Sequence, residues 1–304
     1  MNMKLKGLTA AVHTPMHADF SVNESRVVDQ AEHLARAGAS GVFVTGTTGE
    51  CHSLTTDERL KLFEAWGRVA HSNGLKFIAH VGHNNLPDAR ALVCAAAANG
   101  ADAISAMAPT FFKPADAAAL CDWFVQMLAG APELPFYFYD IPAMTGVTIN
   151  TREFVQRAAE QIPGLVGVKY TNPDREQLRA MLNTNGRAPD MLFGCDEELL
   201  EGLKIGCRGA VGSSYNFASP LYRKIIAAFD EGVTESAQRD QDRSAEMVRT
   251  IAKYGYNAAA KAVMGMVGID CGPARPPLRG LSPENINDLK RELEAIGFFD
   301  WALG

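Results

Sequence analysis

The 304-residue chain lacks the features that mark several large classes of protein. None of its six cysteines forms a Cys-x-x-Cys pair, which argues against a zinc ribbon or a dithiol motif and predicts free thiols. No apolar run is long enough for a transmembrane helix, and the N-terminal residues lack the apolar core of a signal peptide. A net charge of -6 without a basic stripe argues against a nucleic-acid partner. These absences predict a cytoplasmic protein without a membrane or nucleic-acid partner.

Two further absences concern bound cofactors. The histidines His13, His52, His80 and His83 do not have the spacing of metal ligands, so we predict no metal site. No Gly-x-Gly-x-x-Gly turn follows the first apolar segment, which runs into His13-Thr14-Pro15-Met16 instead. This argues against a doubly wound sheet that binds a dinucleotide at its first turn.

What the chain does have is an alternation of short apolar segments with longer amphipathic ones. Eight segments are candidate strands: Leu8–Val12, Gly41–Thr45, Lys76–Val81, Ala103–Ala108, Phe136–Tyr139, Val166–Tyr170, Met191–Phe193 and Gly209–Gly212. Segments with apolar residues at helical spacing lie between them, for example Arg26–Ala37, Thr56–His71, Leu86–Asn99 and Ala117–Leu128. Strands that alternate with helices indicate a parallel sheet, and eight of them predict an α/β fold of the (β/α)8 TIM barrel type. An open doubly wound sheet is the competing architecture.

After Asn216 the pattern is helical only, near Pro220–Phe229, Glu235–Ile251, Asn257–Met266 and Pro283–Ala295. We expect the last barrel helix to begin at Pro220. The predicted division is a barrel domain over residues 1–230 and a C-terminal helical extension over 231–304. Helix-start signals lie at Ser21–Glu24 and Thr55–Glu58.

Lys169 is the most informative residue, because it lies at the C-terminal end of an apolar strand segment. In (β/α)8 barrels the chemistry lies at these strand ends. Burial favours the neutral form of a lysine, and a neutral amine condenses with a ketone to a Schiff base. The alternative is a strand-end lysine whose ammonium reaches water.

Other strand ends carry polar groups, each with a structural alternative. Gly46-Thr47-Thr48-Gly49-Glu50 is either a tight turn or a cradle of N–H and hydroxyl groups for a carboxylate. Tyr139 is either a packed tyrosine or a proton shuttle. Asp196 and Glu197 form either a solvated turn or helix start, or a site for a polyhydroxylated substrate.

Together these motifs resemble the dihydrodipicolinate synthase and N-acetylneuraminate lyase superfamily of class I aldolases, from about Gly7 to Asn216. Gly46–Glu50 is similar to the superfamily's G-[ST]-T-G-E pyruvate-carboxylate motif, and Tyr139-Asp140-Ile141-Pro142 to its Y-x-[IV]-P motif. Lys169 falls on the Schiff-base lysine.

The resemblance implies a role for each candidate residue. Lys169, Tyr139 and Thr48 are the implied catalytic residues. The implied substrate-binding residues are Thr47, Thr48, Thr171, Gly194, Asp196, Glu197 and Ser213. The resemblance also implies a homotetramer and no cofactor beyond the lysine, because the lysine itself supplies the electron sink.

The details favour the lyase branch, which implies reversible cleavage of N-acetylneuraminate to pyruvate and N-acetylmannosamine. Dihydrodipicolinate synthases carry an arginine where this chain has Met144, and Lys169-Tyr170-Thr171 is similar to the lyases. Phe111 (where relatives place a cross-subunit tyrosine), Asp140 and Cys195 depart from familiar members. Two alternatives stay open: another pyruvate-dependent aldolase of sugar acids or hydroxy-oxo acids, and a non-catalytic binding barrel.

Overall fold

The computed structural model of the protein describes residues 3–183 and 188–302 and contains a closed barrel of eight parallel strands. The strands are β1 (Gly7–Ala11), β2 (Gly41–Val44), β3 (Lys76–His80), β4 (Ala103–Met107), β5 (Phe136–Asp140), β6 (Leu165–Tyr170), β7 (Asp190–Phe193) and β8 (Gly209–Gly212). Each strand pairs in parallel with the next, and β8 pairs with β1. The predicted (β/α)8 barrel is therefore confirmed, and every predicted strand overlaps an observed one.

Helices cover the outside of the barrel and continue beyond it. Those up to the end of the barrel are α1 (Val27–Arg36), α2 (Thr56–Val69), α3 (Leu86–Ala98), α4 (Ala117–Met127), α5 (Pro142–Thr145), α6 (Thr151–Gln161), α7 (Arg175–Leu182), α8 (Leu199–Ile205) and α9 (Tyr215–Asp230). The C-terminal helices are α10 (Thr234–Ala252), α11 (Tyr256–Met266), α12 (Pro283–Ala295) and α13 (Phe298–Trp301). Within the described ranges, none of these helices is long and apolar enough to cross a membrane.

The apolar side chains form two layers, because each strand of a barrel is buried on both faces. In β5, Phe136 and Phe138 pack outward against the helices, while Tyr137 and Tyr139 fill the barrel interior. This alternation explains why the strands are continuous apolar segments in the sequence. It also places Tyr139, the last inward-facing residue of β5, at the C-terminal end of the barrel.

The helix α9 begins at Tyr215, five residues before the predicted start at Pro220, but its second segment begins directly before Pro220, as predicted. Ala218 has non-helical dihedral angles (φ -141°, ψ 21°) and splits the helix into two segments. Pro220 lies in the first turn after this break, where its missing N–H is tolerated. The helix ends at Asp230, and α10 packs on α9. The division into domains at residue 230 stays a prediction.

The two helix-start signals have different outcomes. Thr55 and Glu58 form a capping box, in which the Thr55 hydroxyl accepts from the Glu58 N–H and the Glu58 carboxylate accepts from the Thr55 N–H. A helical segment does begin at the Ser21–Glu24 signal, since a short 3-10 helix, Glu24–Arg26, leads into α1 there. It has no side-chain cap, because the Ser21 hydroxyl donates to Asp19 and the Asn23 side chain makes no capping hydrogen bond.

Candidate active site

A cavity of about 740 Å³ opens at the C-terminal ends of the strands. The cavity is lined by all nine residues to which the family resemblance gives a catalytic or substrate-binding role: Thr47, Thr48, Tyr139, Lys169, Thr171, Gly194, Asp196, Glu197 and Ser213. Residues at or beyond the ends of β2, β5, β6, β7 and β8 thus converge on one volume, which is of the size that binds small molecules.

Lys169 lies at the centre of this cavity and is 4% exposed. Its Nζ atom is 3.8 Å from the centroid of the Tyr139 ring and 4.1 Å from that of Phe43. Burial lowers the pKa of Lys169 from 10.5 to about 7, and the charge of Asp196 opposes this shift. A large fraction of the amine is therefore neutral, and nucleophilic, near neutral pH.

Tyr139 lies beside Lys169, since the two residues are register partners in β5 and β6. Its ring packs edge-on against Phe43 and His80, with centroid distances of 5.8 and 6.1 Å. Burial raises the pKa of Tyr139, and the Thr47 hydroxyl opposes the shift. The Tyr139 phenol is 3.4 Å from Thr47 Oγ1, a long contact that leaves its hydrogen-bonding capacity largely available to a substrate.

The loop from Gly46 to Glu50 is a tight turn whose threonines line the cavity. Thr45 and Glu50 have positive φ values of 51° and 59°, which are unusual for residues with a Cβ atom. Hydrogen bonds hold the loop, because Thr45 Oγ1 donates to the His80 carbonyl and Thr14 Oγ1 donates to the Gly49 carbonyl. Backbone strain of this kind persists only where the surroundings impose it, and it clusters at functional sites.

Asp196 occupies the opposite side of the cavity and is buried. Its Oδ2 atom accepts from the Ser214 N–H at 2.7 Å and from the Ser214 hydroxyl at 2.6 Å. Burial raises the pKa of Asp196, while these hydrogen bonds oppose the shift. The alternative of a solvated turn is thus wrong for Asp196, although its neighbour Glu197 is exposed at the rim.

Two glycines keep this side of the cavity open. A Cβ atom on Gly194 would overlap Thr171 Oγ1, and one on Gly212 would overlap the Asp196 carboxylate. The Thr171 oxygen is buried without a hydrogen-bond partner of normal geometry in the described ranges. Ser213 donates to the Tyr256 hydroxyl at 2.9 Å. The arrangement leaves hydroxyl and carboxylate groups directed at whatever fills the cavity.

Sequence reasoning missed several residues that line the cavity. Cys51, His52 and Ser53 follow directly on the Gly46–Glu50 motif, and Glu50 itself belongs to that motif. The C-terminal extension supplies Tyr256, Asn257, Pro277 and Leu278. Pro277 and Leu278 lie in the segment Cys271–Arg279, whose content of proline and glycine is typical of a loop but does not say where that loop lies in the fold.

The residues that depart from the superfamily pattern lie at the margin of the site. Met144 lines the cavity and is 63% exposed, whereas Phe111 is 78% exposed and does not line it. Asp140 accepts from Thr151 at 2.6 Å and from Asn172, and so links the start of α6 to the segment after β6. In the described parts of the chain, no group of three or more histidine, cysteine, aspartate or glutamate residues is arranged to hold a metal ion.

Comparison with known proteins agrees with this geometry. The sequence profile described as "Dihydrodipicolinate synthetase family" matches residues 4–296. The N-acetylneuraminate lyase of Gallus gallus is 39% identical over 302 residues, which cover 96% of this chain and 96% of the relative.

Two solved structures are similar over nearly their whole length. The N-acetylneuraminate lyase of Proteus mirabilis superposes with a TM-score of 0.94 and is 37% identical, covering 97% of this chain and 100% of the other. The N-acetylneuraminate lyase (sialic acid aldolase) of Aliivibrio salmonicida also gives a TM-score of 0.94, at 34% identity, covering 97% of this chain and 98% of the other. The resemblance drawn from the motifs is confirmed: the chain belongs to the dihydrodipicolinate synthetase family.

Proposed function

We propose that this protein is a Schiff-base aldolase that reversibly cleaves N-acetylneuraminate to pyruvate and N-acetylmannosamine. The observation that carries the proposal is the buried Lys169 amine, whose pKa falls to about 7 beside the Tyr139 phenol. Relatives named N-acetylneuraminate lyase, at up to 39% identity over almost the whole chain, support the choice of substrate.

The first step joins Lys169 to the substrate. The neutral amine attacks the C2 ketone of the open-chain sugar acid to give a carbinolamine. Tyr139 donates its proton to the departing hydroxyl group, so that water leaves and an iminium forms. The site thereby acquires a cationic electron sink and a tyrosine phenolate without any metal or organic cofactor.

The second step breaks the C3–C4 bond. Tyr139 takes the proton of the C4 hydroxyl, C4 becomes the aldehyde carbon of N-acetylmannosamine, and the bonding electrons pass to the iminium to give an enamine. A raised phenol pKa makes the phenolate a strong base for this step. Protonation of the enamine at C3 and hydrolysis of the resulting imine release pyruvate and restore the amine.

The remaining residues hold the substrate against these two groups. Thr47 and Thr48 bind the carboxylate. The family resemblance gives the role of assisting Tyr139 to Thr48, but it is Thr47 whose Oγ1 atom lies 3.4 Å from the Tyr139 phenol, and we assign the assisting role to Thr47. On the other side of the cavity, the polyol chain is bound by Thr171, Gly194, Asp196, Glu197 and Ser213. Correct placement of the C4 oxygen against Tyr139 supplies much of the rate.

Another pyruvate-dependent aldolase is the second candidate. Met144 at the rim argues against a substrate with a second carboxylate there, since it offers no cation. A non-catalytic binding barrel is disfavoured, because binding alone has no use for a desolvated lysine amine.

Assembly and location belong to the proposal as well. A homotetramer is supported by the exposed pair of Phe111 and Phe112, which are 78% and 86% exposed in the single chain. The cytoplasmic location rests on the composition of the chain alone.

The test is pyruvate release from N-acetylneuraminate, followed through lactate dehydrogenase and NADH. We expect turnover in the natural chain and none in Lys169→Ala, with the fold of that variant retained. Activity that survives in Lys169→Ala contradicts the mechanism. If the natural chain releases no pyruvate, the assignment of N-acetylneuraminate as the substrate is contradicted, and other 2-keto-3-deoxy sugar acids become the candidates.

A further inference from the structure

A buried ion pair connects the Gly46–Glu50 loop to the C-terminal extension. Glu50 Oε1 lies 2.7 Å from Lys261 Nζ, a charge contact without normal hydrogen-bond geometry, and the two side chains are 0% and 1% exposed. Lys261 belongs to α11, and its ammonium also donates to the Pro273 carbonyl at 2.8 Å. The last residue of the loop is thereby held by groups far away in the sequence.

Arg275 holds the same region from a second direction. Its backbone N–H donates to Glu50 Oε2 at 2.7 Å, so both carboxylate oxygens of Glu50 have partners in the extension. Its guanidinium donates to both oxygens of Glu58 and to the Ser53 carbonyl at 2.7 Å. The segment 271–279 is thus fastened to the chain on both sides of the short 3-10 helix Cys51–Ser53.

These contacts act on a strained backbone. Glu50 and Thr45, which flank Thr47 and Thr48, both have positive φ values although neither is a glycine. Such a conformation persists only when the surrounding structure over-determines it. The Glu50 carboxylate, fixed by Lys261 and the Arg275 N–H, supplies that constraint at one end of the loop.

The burial of two charges indicates that the Glu50–Lys261 pair has a role other than stabilising the fold. Two well-packed apolar residues stabilise a protein as much as a buried ion pair does, or more, so burial of two charges is weak evidence for a stabilising role. An ion pair whose members also have hydrogen bonds, here from the Arg275 N–H to Glu50 and from Lys261 to Pro273, fixes a defined geometry. Glu50 lies three residues from Thr47 and two from Thr48, so this geometry is imposed close to both threonines that line the cavity.

We propose that Glu50 and Lys261 are positioning residues, which fix Thr47 and Thr48 in the geometry that binds the pyruvate carboxylate. The C-terminal extension is therefore part of the active site, through Lys261 and Arg275 as well as through the residues that reach the cavity. This inference rests on the proposed aldolase function.

The test uses the double variant Glu50→Gln with Lys261→Met. Each single variant leaves a buried charge without its partner and is expected to fold poorly. The double variant removes both charges, and the amide oxygen at position 50 can still accept from the Arg275 N–H. The matched control is Lys253→Met with Glu292→Gln, which removes an exposed ion pair between the residue that follows α10 and a residue of α12.

The measurement is borohydride trapping of a pyruvate adduct as a function of pyruvate concentration and pH. We expect the trapping rate of the double variant at low pyruvate to fall on the order of 100-fold, because a displacement of about 1 Å has such an effect. We expect the pH midpoint to stay near 7, since neither residue contributes to the pKa shift of Lys169. The control variant should trap pyruvate as the natural chain does.

Trapping by the double variant at the natural rate overturns the proposal and leaves the pair a structural role only. If the double variant does not fold, Glu50→Asp decides, because it keeps the charge opposite Lys261 but shortens the side chain, so the carboxylate reaches Lys261 and the Arg275 N–H only if the end of the loop moves. A lower trapping rate at low pyruvate is expected there as well, and unchanged pyruvate saturation overturns the proposal. Failure of the natural chain to form any adduct overturns the aldolase function itself, and the inference with it.

Discussion

Two tyrosines on one strand show how the two ends of this barrel differ. Tyr137 and Tyr139 both lie in β5, and both rings fill the barrel interior. Tyr137 donates to Asp190 at 2.7 Å, and the same Asp190 oxygen accepts from the Leu5 N–H at 2.8 Å. Among the described residues, the Tyr139 phenol has a long contact of 3.4 Å with the Thr47 hydroxyl and lies near the Thr171 hydroxyl, and it has no carboxylate partner like that of Tyr137.

The difference separates a structural phenol from a reactive one. At the N-terminal end, the Asp190 carboxylate accepts from Tyr137 and so satisfies its phenol. At the C-terminal end, Tyr139, Lys169 and Thr171 keep polar groups that the protein does not fully engage. Burial raises the pKa of both phenols, so burial alone does not mark the functional one. What distinguishes Tyr139 from Tyr137 is the hydrogen-bonding capacity of its phenol that the protein leaves unused.

Matched Tyr→Phe variants test this comparison most severely. We expect Tyr139→Phe to lower kcat by about 100- to 10,000-fold, the usual contribution of a general acid–base group. Tyr137→Phe should leave kcat within a few-fold of the natural chain and should lower the free energy of unfolding by about 1–3 kcal/mol, because Asp190 loses a donor. Kinetics and urea unfolding of both variants provide the readout; equal losses of kcat would remove the distinction.

Lys169→Met should stabilise the fold while abolishing turnover. The pKa of Lys169 is lowered from 10.5 to about 7 in the folded protein, so below pH 7 the fold bears the full unfavourable burial of an ammonium. Between pH 7 and pH 10.5 the amine of Lys169 is protonated in the unfolded state and neutral in the folded state. The free energy of unfolding of the natural chain therefore rises with pH over this range. We expect a gain for the variant of at most about 4 kcal/mol at pH 7, at about 1.4 kcal/mol per pKa unit.

Urea unfolding at several pH values measures this gain. It should shrink as the pH rises from about 7 towards 10.5, because the amine is then neutral in both states. A variant that is no more stable than the natural chain at pH 7 would show that Lys169 is not appreciably desolvated.

Asp196→Asn should move the pH dependence of imine formation. The charge of Asp196 raises the pKa of Lys169 against the effect of burial, so its removal lets that pKa fall below about 7. We expect the midpoint for pyruvate trapping to shift to lower pH. Asp190→Asn at the N-terminal end of the barrel is the control, and a midpoint that stays in place in both variants contradicts the coupling.

Much of the fold and of the site follows from local pattern. The eight strands are predictable because parallel strands are buried on both faces, and Lys169 and Tyr139 are predictable because they end such strands. Asp196 and Glu197 are neighbours in the sequence, yet one is buried and the other exposed, which no pattern of two acidic residues reveals. The same limit hid the helix break at Ala218.

The contribution of the extension could not be predicted for a different reason. Lys261 looks like any helical lysine, and Arg275 lies in a proline-rich segment typical of a loop. Their partners Glu50 and Glu58 are more than two hundred residues away, as the separation of 225 between Arg275 and Glu50 shows. Only the tertiary structure brings them together.

The most direct measurement is to reduce the natural chain with borohydride in the presence of pyruvate and to map the modified peptide by mass spectrometry. We predict a single carboxyethyl group on Lys169, formed at a rate that rises with pH through about 7. An adduct on another lysine, or none at all, would contradict the assignment of Lys169 as the nucleophile of this site.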